Sequence, residues 1–132
     1  MRHPKLVAFE KQLKALFDSI DDYLEEKYGG LFPLHPARAK RGETANKEQD
    51  GLFNVGANFT PGFASTFGRG YVIEVRMVTL ANVPDYVREQ IEQEVADLAA
   101  EKLPYYLPGR ALTVDRDGRL YKIHGDLSLG SV

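Results

Sequence analysis

The chain has 132 residues and a net charge of −2, a length that suits one domain able to bury a core without covalent staples. It has no cysteine, which excludes disulfide frameworks and thiolate chemistry and fits a reducing, cytoplasmic setting. Its N-terminal stretch lacks the apolar core of a signal peptide, no run approaches the roughly 18 apolar residues of a membrane span, and the slight acidity gives no general attraction to nucleic acid or anionic lipid.

The first predicted element is a helix over residues 4–28. Pro4 suits a first turn, and Leu6, Phe9, Leu13, Leu16, Ile20 and Tyr23 recur at spacings of three and four, with Phe17 and Leu24 widening the stripe. Gly29-Gly30 stops it. This stripe is expected to pack on the domain's own sheet. A dimeric coiled-coil seam is the alternative, but the stripe holds fewer than the three or so heptads such a seam needs.

Residues 29–70 follow with little regular pattern, most of the glycines and a local basic excess. Within that range, Leu52 to Phe59 alternates apolar and polar side chains and predicts a strand, ended by Pro61-Gly62. Tyr71 to Leu80 is the clearest strand: Ile73, Val75 and Met77 face the core and Glu74 and Arg76 face away. The two would form a hairpin across residues 61–70. A second helix starts near Asn82, a candidate cap, with Pro84 in its first turn, buries Val87, Ile91, Val95 and Leu98, and is expected to end at Pro104. Residues 111–124 read as a hairpin turned by Asp115-Arg116-Asp117-Gly118. Leu127 and Leu129 of the tail are placed to pair briefly with a sheet edge.

The order α-β-β-α-β-β predicts a single α+β domain over residues 1–132. It is a two-layer sandwich of about four mostly antiparallel strands with two amphipathic helices on one face. The other face is expected to be wet or an oligomer contact, carrying Glu74, Arg76, Lys122 and His124.

The functional expectation rests on the 29–70 segment, where five basic side chains stand against three acidic ones while residues 71–110 carry four against seven. Glycine-rich turns present backbone N–H groups to anions, and arginine offers a planar fork for phosphate or carboxylate. The expected ligand is therefore an anionic small molecule. Arg38, Arg41 and Arg69 would supply charge, Ser65 and Thr66 hydrogen bonds, and Gly62, Gly68 and Gly70 close backbone approach. No phosphate-loop or dinucleotide glycine pattern is present, so the residues identify no cofactor and no reaction. Of the three acids of the segment, Glu43 and Asp50 are the candidates for a general base, but the sequence gives neither a partner. His3, His35 and His124 are scattered with no metal-ligand spacing, so no metal is expected. Two other readings compete. One is an interaction module that forms a homodimer or docks on a larger assembly. The other is a single-strand nucleic-acid binder stacking bases on Phe59, Phe63, Phe67 and Tyr71, which the overall acidity opposes.

Overall fold

Two helices cover one face of a four-stranded antiparallel sheet in this computed structural model, which describes residues 4–63 and 65–127. The elements run α1 (Pro4–Tyr28), a single 3-10 turn (Lys47–Gln49), β1 (Phe53–Thr60), β2 (Gly70–Met77), α2 (Asp85–Tyr106), β3 (Leu112–Asp117) and β4 (Leu120–Gly125). This is the two-layer α+β arrangement that the periodicities predict. The strand order is β1-β2-β4-β3, so the second hairpin enters the sheet through β4 and leaves β1 and β3 at the edges. The β2–β4 seam pairs Tyr71 with Ile123 and Val72 with Lys122.

The apolar stripe of α1 faces the sheet rather than a second chain: Phe9, Leu13, Leu16, Phe17, Ile20 and Leu24 are buried. They close on Phe53 and Val55 of β1, Tyr71 and Ile73 of β2, Ile123 of β4, and Ile91, Val95, Ala99 and Leu103 of α2 in one cluster. Burying each large side chain of this kind is worth about 1.5–3 kcal/mol. The last helical hydrogen bond runs from Gly29 N–H to the Glu25 carbonyl at 2.9 Å, and the helix ends at the Gly29-Gly30 pair without a left-handed glycine, since neither has positive φ. A Cβ at Gly29 would stand 2.4 Å from that oxygen.

Several expectations need correction. Tyr23 points outward, and the buried position beside its turn is taken by Asp21. The second helix begins at Asp85 behind Pro84, with no side-chain cap, so Asn82 lies outside it. It also continues past Pro104 to Tyr106, because the exposed proline removes one hydrogen bond near the end while Leu107 N–H still reaches the Leu103 carbonyl at 2.8 Å. The second sheet face is not uniformly wet: Lys122 is only 2% exposed. Leu129 lies outside the described residues, while Leu127 packs against the core.

Candidate functional site

The residues singled out in the 29–70 segment separate into three places. Arg38 sits inside its own loop. Its Nε donates to the Gly51 carbonyl at 3.1 Å, and its Nη2 to the carbonyls of Glu48 (2.5 Å), Asp50 (3.2 Å) and Phe53 (3.3 Å). The fork thus gathers residues 48–53 where β1 begins. Arg41 ties the same loop to α1, with Nη1 2.8 Å from Asp21 Oδ1 and 3.2 Å from Asp50 Oδ1, and Nη2 2.6 Å from Asp22. Asp50 also accepts the N–H groups of Gly42 (3.0 Å) and Thr44 (3.1 Å) and the Thr44 hydroxyl (3.1 Å). Burial alone would push the Asp50 carboxyl up, but these donors and Arg41 outweigh it and hold it below the usual range. Both arginines therefore face protein oxygens. Glu43 is exposed on the same loop.

Gly62, Ser65, Gly68 and Gly70 gather on the second sheet face. Gly62 and Gly68 have positive φ, 70° and 72°, and a Cβ on Gly62 would stand 1.9 Å from the Gly68 carbonyl, so the neck of the β1–β2 connection closes only with glycine there. Gly70 lets β2 approach β4, since a Cβ would meet the Ile123 carbonyl at 2.4 Å. Ser65 receives the Lys122 ammonium at 2.7 Å and donates to the Asp117 carboxylate. Lys122 also bonds the Gly68 carbonyl at 2.8 Å and pairs with Asp117 at 2.8 Å. Hydrogen bonds from Lys122 and Ser65 hold the Asp117 carboxyl below its usual range. Lys122 Nζ thus faces three oxygens, those of Ser65, Gly68 and Asp117. The cluster is a latch that holds the connection on the sheet. Phe67 stacks on His124 with ring centroids 4.5 Å apart, and His124 Nε2 stands 2.7 Å from Asp115. Thr66 is exposed beside them.

Arg69 turns to the opposite side of the sheet. There it joins Leu6, Phe9, Glu10, Phe59, Tyr71 and Leu127 around a cleft of about 370 Å³. Phe59 and Tyr71 are cross-strand partners on β1 and β2, edge to face with centroids 5.6 Å apart, and Phe9 of α1 lies 5.5 Å from Tyr71. Phe59 is left 55% exposed on this wall. The Tyr71 hydroxyl donates to Glu10 at 3.0 Å, which fixes the carboxylate on one side of the cleft. Of the four spaced aromatics, Phe59 and Tyr71 thus serve this cleft, Phe67 anchors the connection on the other sheet face, and Phe63 is 96% exposed. They form no continuous stacking row. Sequence reasoning missed Phe9, Glu10 and Leu127 as cleft residues and Lys122 and Asp117 as latch residues. Only the helical spacing of Leu6 and Phe9 could have signalled any of them.

Among the described residues no cluster of His, Asp and Glu could hold a metal ion, and no helix is long and apolar enough to cross a membrane. The fold and cleft define a two-layer α+β domain with an apolar cavity bordered by one arginine and one glutamate. By sequence, residues 4–125 match a family described as "Uncharacterised protein", and the chain belongs to that family. An uncharacterized protein of Borreliella burgdorferi is 37% identical over 125 residues, covering 95% of this chain and 98% of that protein. No solved structure matches.

Proposed function

We propose that this protein is a soluble, cytoplasmic domain that binds an anionic small molecule in the cleft between the start of α1 and the β1–β2 hairpin. The observation that carries the reading is the cleft itself: about 370 Å³ of concave space with apolar and aromatic walls and the exposed Arg69 guanidinium on its border. Small-ligand sites have this composition, an apolar body with a few polar groups that fix orientation. Arg38 and Arg41, expected to share this role, are engaged in the 38–53 loop instead, so of the three arginines only Arg69 borders the cleft. The Lys122 latch supports the reading. By holding Gly68 it fixes the residue immediately before Arg69.

A thermal-shift panel of carboxylates, sugar phosphates and nucleotides tests the proposal. At least one class of anion is expected to raise the melting temperature, and Arg69→Ala is expected to abolish that rise. If none of the anions moves the transition, the cleft is not an anion site.

A further inference from the structure

We infer that the ligand of the Arg69 cleft is a monocarboxylate with an apolar acyl or aryl body, and not a phosphate ester. This inference rests on the cleft being the binding site. Four observations select the head group and body. The walls are Leu6, Phe9, Phe59 and Leu127, with the Tyr71 ring behind them, and such surfaces reward hydrocarbon. The charge on the border is one guanidinium opposed by one carboxylate, Arg69 and Glu10. A single-charge head group is neutralised by Arg69, whereas a dianion would place its second charge near Glu10, and among the described residues that line the cleft Arg69 is the one cation. Arg110, which is not part of the lining, lies over the Phe9 ring at 4.9 Å and donates to the Asp126 carbonyl at 3.2 Å.

The third observation concerns the glycines. A phosphate site of this kind needs backbone N–H groups turned toward the anion. Gly62 and Gly68 lie on the other sheet face from the cleft, where Gly62 N–H is directed to the Thr60 hydroxyl at 3.3 Å and Gly68 N–H to the Ser65 carbonyl at 3.4 Å. Neither glycine N–H is turned toward the cleft. The fourth is size. The space matches about a dozen water-sized groups, enough for a short acyl or aryl chain and small for a nucleotide.

The experiment titrates the full chain with straight-chain carboxylates of four to ten carbons, phenylacetate, the matching alcohols and the matching alkyl phosphates. Binding is read by calorimetry and by tyrosine fluorescence. Carboxylate affinity is expected to rise about fourfold per added methylene until the cleft is filled. The matching alcohols should bind about tenfold more weakly or worse, and Arg69→Gln should bring the carboxylate to the level of its alcohol. Glu10→Gln should improve the alkyl phosphates several-fold while leaving the alcohols unchanged. Unliganded melting temperatures of the variants confirm that each is folded. Alkyl phosphates binding more tightly than carboxylates of the same length would overturn the inference and leave the anion site standing. If neither head group binds, the anion site itself is wrong. If, in addition, sedimentation shows a concentration-dependent dimer that Phe59→Ser dissociates, the occupant of the cleft is a second copy of the chain.

Discussion

At the scale of single residues, Asp21 is the most informative side chain outside the cleft. It is fully buried on the core side of α1, and neither of its oxygens accepts a well-directed hydrogen bond, although Arg41 Nη1 stands 2.8 Å from Oδ1. Burial pushes its carboxyl up to about 7. The positive charge of Arg41 opposes that rise, and the negative charges of Glu25 and Asp18 add to it. A folded pKa above the unfolded value means that the native state holds the proton more tightly. Stability from this group is therefore full below about pH 4 and is lost as pH rises toward 7. Asp50 works in the opposite direction, since its lowered pKa contributes above the usual carboxylate range and is lost in acid. Asp21→Asn cannot ionise, and Arg41 keeps Asp22 and Asp50. The variant is expected to gain on the wild type steadily between pH 4 and pH 8, by about 1–3 kcal/mol at the upper end. Urea unfolding at closely spaced pH values checks this, and a gap independent of pH would show that Asp21 does not titrate in that window. In the sequence Asp21 looks like one more solvated acid beside Asp22. The helical period places it next to Ile20, but it cannot say that the 38–53 loop folds over that side and removes the water.

Among elements, α1, both hairpins and α2 were legible because each carries its own period, 3.6 or 2, and its own stop signals. Gly118, with φ of 66°, turns the second hairpin where the polar triplet predicts. The strand order was not legible, since both hairpins are local and nothing in either specifies the β2–β4 seam. The latch was hidden for a related reason. Alternation correctly puts Lys122 on the face away from the helices, but whether that face meets water depends on where the β1–β2 connection lies. In the structure the connection lies on Lys122 itself. Of the candidate site, glycines and basic residues marked the segment in the sequence, while the partners of Arg38, Arg41 and Arg69 depend on contacts distant in sequence. Lys122→Met retains the apolar stem but leaves the Gly68 carbonyl and Ser65 without their cation. Hydrogen exchange at residues 65–69 is expected to accelerate by roughly tenfold or more, the effect of losing a charge-assisted bond or two. Unchanged exchange there would mean that the turns alone hold the connection.

For the whole molecule the question is whether the two layers unfold together. One core cluster contains α1, α2 and three of the four strands, and Phe17 at its centre is 1% exposed. The helices are also joined at the surface, where Glu94 of α2 accepts Lys27 Nζ at 2.6 Å, the Tyr23 hydroxyl at 2.7 Å and the Tyr28 hydroxyl. Surface pairs of this kind contribute little beside a core of this size. The layers should therefore share one cooperative transition, with the 65–69 segment able to open locally beneath it. Phe17→Ala is expected to cost about 3–5 kcal/mol and to lower the protection of the slowest amides in α1, α2 and β2 by the same amount. Lys122→Met should leave those slowest amides unmoved, and the double variant should lose the sum of the two effects at each amide, since Phe17 and Lys122 lie on opposite faces of the sheet. If β2 amides kept their protection while the helical ones lost it in Phe17→Ala, the sheet would be stable without its helices, and the single core would not be what holds the molecule together.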